Sequence, residues 1–189
     1  YVDPYVMDEV IARGDADMIA VARQHLADPD FLKNVREGHP EDTLECLACN
    51  QGCIERLSLE QLPIRCAINP QTGQELLYPE GPAAVSRRVW VVGGGPGGLT
   101  AAYEAARLGH QVVLFEKEKE TGGNVLYAAK APHKEVYERY IKTLTAKCIK
   151  KGVTIKTNTE VTEAMIEDGK PCLLYTSPSP RDRTRARMQ

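Results

Sequence analysis

The sequence predicts an α/β fold class built on parallel strands, and three observations lead there. Short apolar runs alternate with helix-like stretches from Arg87 onward. A glycine-rich turn joins the first of those runs to its helix, and another apolar run, at residues 17–22, stands between two further helix-like stretches. Strands separated by helices pair in parallel, because the crossover brings each strand back to the same end of the sheet. Residues 40–85 differ: they have weak periodicity, five prolines and four of the six cysteines. That segment reads as loop-rich and organised around a metal centre rather than around a hydrophobic core.

Residues 1–39 read as helix, strand, turn, helix. Met7, Val10 and Ile11 share one helical face, and Gly14 supplies the stop. The run DMIAVA at 17–22 is apolar after its Asp, as expected of a strand buried on both faces in a parallel sheet. Arg23, Gln24 and His25 follow at once, and residues 29–38 read as a short polar helix. In the last region Val89, Trp90, Val91 and Val92 form a short strand, and residues 99–108 an Ala-rich helix that stops at Gly109. The run QVVLF at 111–115 is a second strand ending on Glu116. A long helix at about 134–151 carries Val136, Tyr140, Leu144 and Cys148 along one face. Gly152 closes it, and residues 153–157 form a third strand. Cys148 on that stripe reads as a core thiol.

Both ends of the sequence are unusual. It opens on Tyr1, within what reads as a helix. From Cys172 it runs CLLYTSPSPRD, which resembles the in-frame translation of a transposon-end adapter used in preparing sequencing libraries. Residues 172–189 are therefore expected to be a non-native, disordered tail, Cys172 included. Setting aside its four arginines and one aspartate leaves 20 basic and 25 acidic residues, a net charge of −5. An acidic body gives no reason to expect a nucleic-acid, membrane-surface or polyanionic partner. No run approaches the ~18 apolar residues of a membrane span. Six cysteines suggest disulfides only in a small secreted domain, and the rest of this chain reads as a cytoplasmic nucleotide-binding enzyme.

Gly93, Gly95 and Gly98 satisfy G-x-G-x-x-G within GGGPGG, residues Gly93, Gly94, Gly95, Pro96, Gly97 and Gly98. The pattern alone is weak, but here it follows a strand, opens a helix and precedes an acid at the end of the next strand. Gly93 permits the tight turn, and Gly95 lets a pyrophosphate approach the backbone. Gly98, with Ala101, Ala102 and Ala105, lets the helix pack closely on the sheet. Amide groups at the helix start meet the phosphate charge. Glu116, eighteen residues beyond Gly98, stands where an acid binds ribose hydroxyls. The motif does not separate FAD from NAD. The following VLFEK, TGGN and AP pieces resemble the FAD half of two-dinucleotide-domain flavoproteins. Gly122 and Gly123 would then make a second close backbone approach. Lys117 is either an adenosine contact or an exposed side chain beside Glu116.

Cys46, Cys49, Cys53 and Cys66 are spaced C-x2-C-x3-C-x12-C. Three thiolates close in sequence can wrap one iron–sulfur cluster, with a fourth arriving from a loop. Gly52 allows a tight turn within that loop, and Pro63 and Pro70 stiffen the approach of Cys66. Structural zinc also takes four thiolates, so it stays open as an alternative, although zinc sites more often pair two short C-x2-C hairpins. A redox cluster near a flavin has an evident use in passing single electrons.

Together the pieces DADMIAVARQHLADPDF, CLACNQGCIERL with RCAINP, and VVGGGPGGLTAAYEAARLGH resemble one family across residues 5–171. It is the iron–sulfur NADH:flavin oxidoreductases of the old yellow enzyme type, which include 2,4-dienoyl-CoA reductase, 2-enoate reductase and trimethylamine dehydrogenase. The resemblance implies the C-terminal end of a TIM barrel binding FMN at residues 1–40 and a [4Fe–4S] loop segment at 41–84. It also implies the N-terminal part of a Rossmann-type FAD-binding domain at 85–171. Residues 17–22 would be the last barrel strand, and backbone amides around Ala22 and Arg23 would hold the FMN phosphate. The family often has Gly where Ala22 stands. For Arg23 an ion pair to a nearby acid is the competing reading.

The implied activity is electron relay from NAD(P)H through FAD and the [4Fe–4S] cluster to FMN, which reduces an activated C=C bond of an enoate or enoyl-CoA substrate. The resemblance places the catalytic residues in an N-terminal barrel portion and the NAD(P)H site beyond residue 171, so the chain alone is expected not to turn over. Two alternatives are an amine dehydrogenase with ADP in the Rossmann site and a zinc-stapled nucleotide-binding module without catalysis.

Overall fold

A computed structural model describes residues 2–78 and 81–176 of the chain. It divides into two compact units, Tyr1–Glu80 and Gly81–Gln189.

The first unit is helical and irregular. Helix α1, Pro4–Ala12, starts where Asp3 accepts the Tyr5 N–H at 2.8 Å and Pro4 occupies the first turn, both standard start signals. It ends before Gly14, whose φ of +75° no β-carbon opposes. Helices α2, Arg23–Ala27, and α3, Phe31–Arg36, follow. The core is small: Val10, Ala27, Phe31, Leu44 and Ile68 are buried. The strand expected at residues 17–22 does not form. A parallel strand needs a neighbour for its N–H and C=O groups, and no described residue of this unit lies in a strand. Met18 accordingly stands 85% exposed. Beyond α3, a single 3-10 turn at Pro40–Asp42 leads to the cysteine segment. Residues Gln51–Leu59 then wind as a π-helix, with Glu55 N–H bonded to the Asn50 carbonyl and Glu60 N–H to that of Glu55.

The second unit is a four-stranded, all-parallel sheet in the order β3-β2-β1-β4. The strands are β1, Arg88–Val92, β2, Gln111–Phe115, β3, Thr154–Lys156, and β4, Leu173–Thr176. Val89 pairs with Val112 and Val91 with Leu114, and all four are buried. Helix α4, Pro96–Arg107, contributes Leu99 and Ala102 to the core. Helix α6, Glu135–Lys150, contributes Tyr140, Ile141, Leu144 and Cys148. The 3.6-residue period predicted Tyr140, Leu144 and Cys148 on that face, whereas Val136 is only half-buried and Ile141 joins the core. The short helices α5, Val125–Ala128, and α7, Glu163–Gly169, were not expected. The order 3-2-1-4 is that of a doubly wound fold, in which ligands bind at the carboxyl ends of strands where the order reverses beside β1.

The predicted disorder from Cys172 onward is corrected for residues 173–176. Leu173, Leu174, Tyr175 and Thr176 form β4, paired with Val89–Val92. The reason is local: three apolar or aromatic side chains and a β-branched one meet an open edge of β1, which supplies the missing hydrogen-bond partners. The rest of that tail, residues 177–189, lies outside the described residues.

Candidate functional site

Two sites emerge, one in each unit. In the second unit β1 ends at Val92, and the Gly93 N–H turns back to the Phe115 carbonyl at 2.8 Å. A β-carbon on Gly98 would stand 1.8 Å from the Gly93 carbonyl oxygen, so only glycine lets α4 start this close to the strand. A β-carbon on Gly95 would meet nothing within 4 Å. That open space lies at the N-terminus of α4, where Gly95 is the N-cap, Pro96 follows and no side chain caps the helix. Unpartnered N–H groups and the positive end of the helix dipole make it an anion cradle.

Glu116 is buried beneath this loop, at 6% exposure. Its Oε2 accepts the Gly94 N–H at 2.6 Å and its Oε1 the Glu118 N–H at 2.9 Å. The carboxylate therefore also braces the loop, a role the sequence reading missed. The Gly122 N–H donates to the Gly94 carbonyl at 2.7 Å, and a β-carbon on Gly123 would lie 3.6 Å from Gly95 Cα. The second glycine pair thus docks on the first loop. Lys117 is exposed beside Glu116.

In the first unit Cys46, Cys49, Cys53 and Cys66 line one cavity, with Arg23 and Asn50 on its wall. The loop that carries the first three turns sharply, with Ala48 and Asn50 at φ +52° and +60°. Such left-handed residues are uncommon and cluster at functional sites. The Arg23 guanidinium donates to Asn50 Oδ1 at 2.6 Å, so its partner is an amide rather than an acid. The Cys66 arm is laced to the loop by the Arg65 N–H, which donates to the Gly52 carbonyl at 2.6 Å. A β-carbon on Gly52 would press to 2.7 Å from the Arg65 carbonyl oxygen. Burial pushes the Cys66 thiol up from its ordinary pKa; backbone N–H groups of Ile68 and Asn69 pull it down, and nearby Cys46 and Cys49 push it up again. Among the described residues, no group of three or more His, Cys, Asp or Glu side chains is gathered tightly enough to hold a single metal ion.

Polar side chains that the sequence reading passed over surround the cysteine segment. Gln24, Asp28, Asn69 and Thr72 all hydrogen-bond backbone in or beside the cavity. The Asn-Pro pair at 69–70 was the one available signal, a turn initiator in which Asn69 accepts the Gln71 N–H at 3.0 Å. Ala22 is the N-cap of α2, with no side-chain cap. Cys148 is buried, with its thiol donating to the Leu99 carbonyl at 3.3 Å and its pKa pushed up to about 12 by burial. Among the described residues no helix is long and apolar enough to cross a membrane.

A family model described as FAD dependent oxidoreductase matches residues 88–180. The NADH oxidase of Thermoanaerobacter brockii is 39% identical over 155 residues, which are 82% of this chain and 24% of that protein. The cinnamate reductase of Clostridium sporogenes is 34% identical over 184 residues, 96% of this chain and 28% of that one. Among solved structures, a 2-naphthoyl-CoA reductase in complex with 2-naphthoyl-CoA superposes with a TM-score of 0.87 at 36% identity, covering 94% of this chain and 28% of its own. The chain thus spans about a quarter of the length of the relatives it matches.

Proposed function

Since the chain belongs to the flavin-dependent oxidoreductases of the old yellow enzyme and trimethylamine dehydrogenase type, we propose that it carries the iron–sulfur and FAD-binding parts of an NAD(P)H-dependent reductase of activated C=C bonds. The observation that carries the reading is that all four cysteines line one cavity. A zinc ion draws four thiolates to one point at about 2.3 Å. Among the described residues no three such side chains converge on a single ion, which suits a polynuclear cluster better, and the all-thiolate donor set suits iron–sulfur chemistry.

Cys46, Cys49, Cys53 and Cys66 are the ligands in this reading. Gly93, Gly94, Gly95, Pro96, Gly97 and Gly98 form the pyrophosphate turn of FAD, and the open space at Gly95 fits that group. Glu116 binds the ribose with lone pairs not used by Gly94 and Glu118. Gly122 and Gly123 keep the adjoining backbone close, while Lys117 borders the adenosine. Ala22 and Arg23 are assigned to the FMN phosphate on the family resemblance. When bound, the cofactors supply stepwise transfer of electrons from NAD(P)H to the substrate double bond. The names of the reductase relatives support an enoate or enoyl-CoA substrate.

Anaerobic reconstitution of the chain with ferrous iron and sulfide tests the first half. The expected product is brown, with about four irons per chain. A colourless protein holding zinc alone would overturn the reading. The complete reading frame tests the second half: an α,β-unsaturated acid or thioester should accelerate its NAD(P)H oxidation. Oxidation of an amine in its place would refute the reductase assignment.

A further inference from the structure

The cysteine cavity also rests on a buried amide. Gln24 is 1% exposed, although glutamine is a residue type found mostly at the surface. Both ends of its side chain are used. Its Nε2 donates to the Leu44 carbonyl at 2.9 Å, and its Oε1 accepts the Cys46 N–H at 2.9 Å. One side chain therefore fixes the backbone on either side of Glu45, at the entry to the first cysteine. Asp28, 4% exposed, accepts the Leu44 N–H at 2.9 Å. The same short helix holds the other arm. The Leu26 carbonyl accepts Asn69 Nδ2–H at 2.9 Å and the Thr72 hydroxyl at 2.7 Å, just after Cys66.

Residues 44–50 belong to no helix or strand. The position of Cys46 is therefore set by side-chain bonds to its backbone rather than by a repeating ladder. We propose that Gln24 is a positioning residue of the four-cysteine site, holding Cys46 in place relative to Cys66 through α2. The inference rests on the iron–sulfur reading of that site. Replacing the amide with an apolar side chain strands a half-buried N–H and a buried carbonyl and leaves Cys46 free to shift. Non-ligand partners of this kind typically alter metal retention by 10- to 100-fold.

The test uses the full chain reconstituted anaerobically with ferrous iron and sulfide. Three variants are compared: Gln24→Leu, Thr72→Val, and the packing control Val10→Ala, Val10 being a buried residue of α1. The readouts are the rate of iron loss to a chelator and the electron paramagnetic resonance line shape of the reduced centre. Gln24→Leu should release iron about 10- to 100-fold faster than wild type and alter the line shape. Thr72→Val should do so in the same direction by roughly threefold or more, and it carries the test if Gln24→Leu does not fold. Val10→Ala should lower the unfolding temperature while keeping the wild-type rate and spectrum. Rates within about twofold of wild type for both site variants, or an equal acceleration by Val10→Ala, would overturn the inference. If the wild-type chain takes up no iron and sulfide, the iron–sulfur reading falls and Gln24's role falls with it.

Discussion

Gly98 and Gly95 lie three residues apart in one motif, and the same added methyl should act on them in opposite ways. At Gly98 the new carbon would sit 1.8 Å from the Gly93 carbonyl oxygen. Carbon–oxygen contacts normally begin near 3.3 Å, so α4 or the loop has to move by about 1.5 Å. Overpacking of that size costs at the upper end of about 1–3 kcal/mol or beyond. The better helix propensity of Ala returns roughly 1 kcal/mol. The net loss of about 2 kcal/mol corresponds to a fall in Tm of about 8–16 °C for a unit of about 100 residues. At Gly95 the methyl meets nothing within 4 Å, and exchanging Gly for Ala at an N-cap costs only about 1 kcal/mol or less. That methyl does enter the space assigned to pyrophosphate, so FAD affinity should fall at least about tenfold, or 1.4 kcal/mol. Trp90 is the only tryptophan and lies on β1, so its fluorescence follows unfolding of this unit alone. Thermal unfolding without flavin, paired with an FAD titration, separates the two effects. The reasoning fails if Gly95→Ala lowers Tm as far as Gly98→Ala, or if Gly95→Ala binds FAD as wild type does.

Three further outcomes follow from the same geometry. Glu116→Ala removes the acceptor of two backbone N–H groups and should lower stability by about 1–3 kcal/mol, read as a Trp90 unfolding shift in flavin-free protein. The Cys148 pKa rises on folding from 9.0 to about 12, so its contribution is complete below pH 9 and is lost as pH rises toward 12. Wild type should therefore lose stability over that alkaline range more steeply than Cys148→Ala, as measured by denaturant midpoints. In native protein at pH 8, an alkylating agent should modify exposed Cys172 and spare Cys148, which peptide mass spectrometry reads directly. Equal labelling of the two would refute the burial argument.

Three of the four strands of the second unit were legible in the sequence because short apolar runs alternate with stretches of helical period. Residues 111–115 were expected as a strand and form one, and the long helix at about 134–151 is observed at Glu135–Lys150. The errors arose where apolar character and pairing part company. Residues 17–22 carry the composition of a buried strand but have no ladder partner among the described residues of their unit. Residues 173–176 were expected to be disordered, yet a free edge of β1 takes them up. Composition states what a segment prefers, whereas a strand also requires a neighbour at the right spacing.

The two candidate sites differ in legibility for a related reason. The glycine turn is built by the absence of side chains on regular elements, and an absence recurring at fixed spacing is visible as GGGPGG. Its one hidden component is the brace from Glu116 to Gly94, which joins residues 22 apart. The cysteine site announces its four candidate thiols but not its framework. Cys46 and Cys66 are steadied through Gln24, Asn69 and Thr72, polar residues whose partners lie 22, 43 and 46 positions away. No local period marks such residues, because each answers to one distant backbone group rather than to a face. Burial identifies them instead: Gln24 and Thr72, at 1% and 3% exposure, are polar side chains inside a small core, and each lies there because a specific backbone group needed a partner.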